Sequence, residues 1–265
     1  MSGKKSVPKV ATARVVRVAG CGGYTRMILA GTSVPGRVEP GQFLLLRPAE
    51  WGTEPLLPRP MAVSAVRPGT GSSPAGFEIL FKVVGEGTRR LARLPKGSEV
   101  RVTGPLGRGF EIAGRARRHV LVAGGTGGAC LRFLAAKIEG NTTFLVGASG
   151  KAALPDLRIY RGVCDKLAIA TEDGSLGRRG LVTDLLEEVD LSGAALYACG
   201  PAGMLKAVAR IAKDAQASCQ VSLEARMACG VGACRGCVVG CIDGYRTVCK
   251  DGPVFRADQI DWEKL

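Results

Sequence analysis

Apolar residues in the first hundred positions come as short alternating or continuous runs, without the three-and-four spacing of a long amphipathic helix. Residues 11–18, 27–29, 42–47, 61–66, 77–84 and 99–103 each read as a strand bounded by Gly, Pro or polar turns. Six such strands predict a small antiparallel barrel. Residues 67–75, rich in Gly, Ser and Pro, read as an exposed hairpin loop. Residues 88–93 carry a short helical pattern, with Leu91 and Leu94 pointing one way.

Past residue 118 the pattern changes. A continuous apolar strand, 119–123, leads into the glycine loop 124–128 and a helical run, 129–138. Strands 142–146 and 167–171, helix 183–188, strand 194–198 and helix 202–215 follow. Strands alternating with helices predict a mostly parallel sheet covered on its faces. From about residue 216 the chain becomes a cysteine-rich tail ending near Trp262. The expected fold class is therefore a β-barrel plus α/β. Its three domains are an antiparallel barrel (1–113), a parallel-sheet α/β domain (114–215) and a cysteine-rich domain (216–265).

At 265 residues and 46% hydrophobic content the chain is long enough for such a division. It contains no run of about 18 apolar residues, so no membrane span is expected. Residues 1–8 lack the apolar stretch of a signal peptide. A cytoplasmic, reducing setting is expected, with most of the ten cysteines as thiols. The formal charge of +14 is spread along the chain without an aromatic-basic motif, so nucleic acid is not the expected partner. The charge fits either a generally arginine-rich chain or attraction of acidic partners and anionic cofactors. The single histidine, His119, reads as a strand-edge residue. With no second histidine, a His-based metal site and a Ser–His mechanism are both disfavoured.

Four cysteines stand apart. Cys229, Cys234, Cys237 and Cys249 follow the frame C-x4-C-x2-C and then, after eleven residues, a fourth cysteine. That is the plant-type [2Fe–2S] spacing. Glycines at 230, 232 and 236 let the loop curl so that thiolates converge and backbone N–H groups turn toward sulfur. Cys249 returns after a short turn at Asp243-Gly244. Zinc is the competing reading; it usually takes two C-x2-C pairs, and only Cys234 and Cys237 form one. Cys21, Cys130, Cys164, Cys199 and Cys219 read as small buried hydrophobes. Cys241, inside the cluster region, is a competitor for iron.

Two segments of the barrel and three of the parallel sheet suit anionic ligands. Arg59-Pro60-Met61-Ala62-Val63-Ser64 opens a strand with an arginine able to grip a diphosphate. Leu80-Phe81-Lys82-Val83-Val84-Gly85-Glu86-Gly87-Thr88 ends in glycines at a helix start, where backbone N–H groups can cradle phosphate. Taken singly, either is equally well an ordinary strand and turn. Gly124, Gly125, Thr126 and Gly127 lie between strand and helix, the place of a dinucleotide loop, though without the G-x-G-x-x-G fingerprint. Thr171-Glu172-Asp173-Gly174-Ser175 and Cys199-Gly200-Pro201 follow two more strands at their C-terminal ends.

The order of these motifs, with Gly104-Pro105-Leu106-Gly107 between them, resembles the ferredoxin-NADP reductase superfamily. The tail, from Glu224 through Met227-Ala228-Cys229 to Cys249-Lys250-Asp251-Gly252-Pro253, narrows the resemblance to the electron-transfer subunits of class 1B dihydroorotate dehydrogenases. That resemblance implies FAD between barrel and nucleotide domain, a [2Fe–2S] cluster nearby, and NAD as the acceptor. It implies a separate FMN-containing dihydroorotate dehydrogenase catalytic subunit as partner, in a heterotetramer serving pyrimidine biosynthesis. It carries FAD contacts to Arg59, Pro60, Met61, Ala62, Leu80, Phe81, Lys82, Gly87 and Thr88, and cluster ligation to the four cysteines. Cys199 is implied at the nicotinamide end in a positional role, and no catalytic acid, base or nucleophile is expected. Family members commonly carry serine where this chain has Ala62, which bears on flavin tuning; Ser64 is a candidate to compensate. The alternative is a related flavin/iron–sulfur subunit of another complex, of ferredoxin-NADP reductase, sulfide dehydrogenase or hydrogenase type. NAD and NADP both remain open at this point.

Overall fold

The computed structural model describes residues 8–31, 38–70 and 74–265. Most of the expected hairpin loop at 67–75 lies within them, while 71–73 and the first seven residues lie outside. Seven antiparallel strands form the first sheet: β1 (Lys9–Cys21), β2 (Tyr24–Ala30), β3 (Phe43–Pro48), β4 (Arg59–Ala62), β5 (Ala65–Arg67), β6 (Gly76–Phe81) and β7 (Glu99–Leu106). Their order is β4-β3-β7-β1-β2-β6-β5. Between β6 and β7 runs the short helix α1 (Glu86–Ala92), and both Leu91 and Leu94 are buried. Alternating residues of β1, β2 and β6 fill the barrel: Ala13 and Val15, Met27 and Leu29, Phe77 and Ile79.

Two sequence expectations change here. The strand expected at 61–66 is two strands, because β4 pairs with β3 and β5 pairs with β6 on the opposite end of the sheet. The chain crosses between them at Val63-Ser64, both fully buried. In β1 the alternation breaks: Val15 faces Leu29 and Arg17 faces Ile28, so Val16 is an extra residue in a β-bulge.

The second sheet has the order β11-β10-β9-β8-β12-β13-β16. Its parallel strands are β8 (Arg118–Gly124), β9 (Thr142–Ala148), β10 (Lys166–Thr171), β11 (Arg178–Arg179), β12 (Ala194–Cys199) and β13 (Ser218–Ser222). Helix α2 (Gly128–Ala135) covers one face and α3 (Ala202–Asp214) the other. β8 sends Val120 and Val122 to the α3 side and Leu121 and Ala123 to the α2 side, which is why it reads as an uninterrupted apolar run. The helix expected at 183–188 is a 3-10 segment, Val182–Glu188. His119 is the second residue of β8, a central strand, and is buried, with its ring stacked on Tyr197 and Nδ1 3.3 Å from the Tyr197 hydroxyl. Burial lowers its pKa.

The tail is tied to both sheets. After β13 come the hairpin β14 (Val238–Cys241) and β15 (Gly244–Thr247), the single turn α4 (Val248–Asp251), and β16 (Val254–Arg256), which pairs antiparallel with β13. The hairpin turn is Ile242-Asp243, one residue earlier than expected. Cys237, Cys241 and Cys249 join one apolar core with Phe43, Leu45 and Leu106 of the barrel and Leu196 and Val221 of the parallel sheet. No helix among the described residues is long and apolar enough to cross a membrane.

Candidate flavin, nicotinamide and iron–sulfur site

The cluster loop is held by hydrogen bonds to sulfur. The N–H groups of Cys234 and Val231 point at Cys229 Sγ, at 3.4 and 3.5 Å. Gly232 N–H donates to Cys249 Sγ (3.1 Å), Cys249 N–H to Cys237 Sγ (3.4 Å), and Gly236 N–H to Cys234 Sγ (3.5 Å). The loop turns through left-handed Gly230 and Gly232, where a side chain would strike Leu45 and Lys250. N–H donation from Cys234 and Val231 lowers the Cys229 thiol to about 6, toward the thiolate a metal needs. Burial, then the neighbouring Cys237 thiol, pushes Cys249 up to about 12. A cation there would overcome that penalty.

These contacts link the four cysteines in two pairs, Cys229 with Cys234 and Cys237 with Cys249. Among the described residues no three His, Cys, Asp or Glu side chains close on one metal-sized point. One zinc ion needs four ligands around one point; two irons sharing bridging sulfides need two ligands each. With the C-x4-C-x2-C frame and its distant fourth cysteine, the donor set fits a two-iron cluster better than zinc. Cys241 is outside this set: it is buried in β14, bridged to Ile260, with burial raising its pKa.

The flavin candidates meet across the barrel's rim. A Cβ on Gly87, at the start of α1, would run into the Arg59 guanidinium, so glycine keeps that space open. Arg59 Nη1 donates to Leu57 O (2.9 Å), and the guanidinium lies 5.7 Å from the Trp51 ring centre. The rest of its donors are free among the described residues to face an anion beside the α1 N–H groups. Thr88 Oγ1 instead holds the turn, accepting from Val84 and Gly85 N–H and donating to Gly85 O. Arg47 secures the loop ahead of Arg59 through the carbonyls of Trp51, Gly52, Pro55 and Leu56. This open cradle, an arginine over a helix start, fits the diphosphate of FAD.

The remaining residues divide by face. Met61 and Phe81 point into the barrel core, which leaves their backbones to a ligand, whereas Ala62 packs toward the parallel sheet. Leu80 packs between the sheets with Cys21 and Ala129. Lys82 Nζ lies 4.9 Å from the Tyr24 ring centre. Ser64 does not fall on the face of Ala62: its hydroxyl is buried and accepts from Arg132 Nη1 (3.3 Å). The break between β4 and β5 explains why strand alternation fails there.

The glycine loop is crowded by protein. Side chains at Gly127 or Gly200 would meet Cys199 O or Met204, and one at Gly128 would meet the Tyr160 hydroxyl. Only Gly125, left-handed at φ +54°, faces open space within the loop. Thr126 Oγ1 donates to Glu224 Oε1 (3.3 Å). Glu224 also acts on Tyr24, whose pKa is raised by burial first and Glu224 second. Cys199, hydrogen-bonded to Cys130 and buried, is held as a thiol. Thr126 is thus tied to Glu224 of the tail, and Tyr24 of the barrel and Cys199 of β12 lie near the same carboxylate. The positions of Tyr24 and Glu224 were missed; the only signal was Glu224 opening the cysteine tail. In the other loop, Asp173 accepts from Ser175 N–H (2.9 Å) and its hydroxyl (2.6 Å), leaving the exposed Glu172 carboxylate unpaired among the described residues.

An antiparallel barrel with a diphosphate cradle, a parallel nucleotide sheet and a cysteine cluster define a flavin- and iron–sulfur-dependent oxidoreductase with the ferredoxin reductase fold. A family model, the iron–sulfur cluster binding domain of dihydroorotate dehydrogenase B, matches residues 224–261. The dihydroorotate dehydrogenase B (NAD+) electron transfer subunit of Caldanaerobacter subterraneus is 37% identical, over 83% of this chain and 86% of its own length. A probable subunit of the same name from Methanopyrus kandleri is 40% identical, over 86% of this chain and 82% of its own length. Among solved structures, NADH-dependent reduced ferredoxin-NADP oxidoreductase, studied for flavin-based electron bifurcation, superposes with TM-score 0.80 at 28% identity, over 99% of this chain and 92% of that one. The chain belongs to the family of dihydroorotate dehydrogenase B (NAD+) electron transfer subunits.

Proposed function

We propose that this chain accepts electrons from the FMN of a separate dihydroorotate dehydrogenase catalytic subunit and delivers them to NAD+ in pyrimidine biosynthesis. The observation that carries the reading is the set of four cysteines, linked by N–H···S contacts, in a tail packed against both sheets. A bound FAD supplies the exchange between one-electron and two-electron carriers, and a [2Fe–2S] cluster supplies one-electron carriage. The chain's own residues bind and orient. Arg59, Gly87 and the start of α1 hold the diphosphate; Ala62, Leu80 and Lys82 border the flavin; Gly125, Thr126 and Cys199 border the nicotinamide. Cys199, kept protonated beside Cys130, positions and does not attack. The unpaired Glu172 carboxylate beyond β10 disfavours a 2′-phosphate, which favours NAD over NADP.

The division 1–113, 114–215 and 216–265 assigns FAD, NAD and the cluster to separate regions, with β13 and β16 stitching the last to the second. A cytoplasmic setting suits ten cysteines that are all free thiols in the structure. The test is reconstitution. The chain alone, loaded with FAD and iron, reduces a dye with NADH; orotate forms from dihydroorotate only after an FMN-containing catalytic subunit is added. The likeness to NADH-dependent reduced ferredoxin-NADP oxidoreductase favours one second reading, a similar subunit of another complex. Failure of any catalytic subunit to associate, with dye reduction intact, would select it.

A further inference from the structure

A pocket of about 480 Å³ opens on the outer side of the barrel, where β1 and β2 meet the segment after β9. Arg17, Arg26, Arg132, Arg158 and Arg161 line it, with one carboxylate, Asp156. Glu78 lies beneath, 1% exposed, pairing with Arg26 and with Arg132 Nη1 at 3.0 Å. Asp156 is fully engaged by Arg158, which donates through its backbone N–H and its guanidinium. Five guanidinium groups therefore face two carboxylates that are already paired. Arg17 and Arg161, both exposed, have no ion pair or side-chain hydrogen bond among the described residues. Arg26 Nε is buried without an acceptor.

The placement of Arg17 is the second observation. By plain alternation from Ala13 and Val15 it would point into the barrel core. The bulge at Val16 reverses the parity, so that Val18 packs inward and Arg17 and Ala19 line the pocket beside Arg26 and Ile28. Bulges re-aim side chains in this way. Gathering like charges around one cavity costs energy that an anion would recover, and the planar guanidinium fork suits phosphate oxygens. The volume suits a small ligand. Cradle and glycine loop lie elsewhere: none of Arg59, Gly87, Thr126 or Cys199 lines this pocket.

We propose that this pocket is a second anion site, separate from the flavin and nicotinamide seats, that takes a ligand bearing a diphosphate group. Its two free arginines come from different domains, Arg17 from the barrel and Arg161 from the parallel-sheet side, so the ligand bridges them. Arg132, in the same wall, bonds Ser64 just past β4.

The test is calorimetric titration of the full chain loaded with FAD and iron, in excess NAD+ to fill the nicotinamide seat. Two probes are used, inorganic pyrophosphate and ADP. One site per chain is expected; equal binding of both marks the free anion as sufficient, and binding of ADP alone marks a nucleotide. Arg17→Glu with Arg161→Glu should weaken binding about tenfold or more, while Arg93→Glu, on another face, should not. NADH–dye reduction should be unchanged in both variants. Absence of binding by either probe at millimolar concentration, displacement by NAD+, or binding unaltered in the double variant overturns the proposal.

Discussion

The cluster loop and the flavin cradle are both built on glycine, yet they are constructed in opposite ways. From Cys229 to Cys249 every ligand lies within one short stretch, and sulfur is met by N–H groups of the same loop. The cradle joins Arg59 to Gly87 across two strand crossings, and Arg59 is set by a loop that Arg47 gathers. A local site can be disabled by one ligand and leave its neighbour standing. A site assembled from distant segments fails when any joint between them moves.

The largest effect tests the independence of the first site. Cys237→Ser should abolish cluster assembly, read as loss of iron and of the visible iron–sulfur absorbance, while FAD still binds. Loss of FAD in the same variant would show the two sites to be one unit. Next, Gly87→Val forces a side chain into the Arg59 guanidinium and should weaken FAD binding about tenfold to a hundredfold, with iron content unchanged; titration of the flavin-free chain measures it. Glu78→Gln probes the joint itself. It leaves Arg26 and Arg132 facing a neutral group in a buried setting and should cost about 3 kcal/mol in denaturant unfolding, along with faster flavin release. Full retention of stability would mean the barrel and sheet are not locked by this pair.

The smallest effect lies outside both sites. Asp165 accepts from Thr142 N–H (2.8 Å) and from its hydroxyl (3.0 Å), and these bonds hold its pKa below the usual carboxylate range. Because the folded value is the lower one, its contribution is complete above the ordinary carboxylate pKa and disappears as pH falls through the lowered value. The stability difference between wild type and Asp165→Asn should therefore vanish in acid, with both cofactor contents unchanged throughout. A difference that persists at low pH would remove the assigned cause.

This contrast also explains what could be read from the chain alone. Ligand spacing at 229–249 is a short-range property, so the four cysteines were legible residue by residue. The alternation of β8 and α2 gave the parallel sheet, since burial on both faces leaves a continuous apolar run. Ser64 was misassigned because nothing local shows that 61–66 belongs to two strands at opposite ends of a sheet. Residues 183–188 satisfied a helical pattern but lie in a 3-10 segment that begins at Val182, packed over Gly147. Tyr24 and Glu224 are 200 positions apart, brought together only by the tail's return, and no spacing rule records that. His119 read as a strand-edge residue because it stands just before the apolar run 120–123; it is the second residue of β8, and only its place on a central strand was hidden.

The outer strands of the two large sheets bear on how the subunit meets another protein. The parallel sheet ends on one side in β11, two arginines long, and on the other in the three-residue β16. The barrel sheet ends in β4, which carries Pro60, and in the three-residue β5. Short, charged or proline-bearing margins give an incoming strand almost no unpaired backbone to zip against. Association with a catalytic subunit through either of these large sheets would then be written in side chains and loops, and its specificity could evolve without disturbing their pairing.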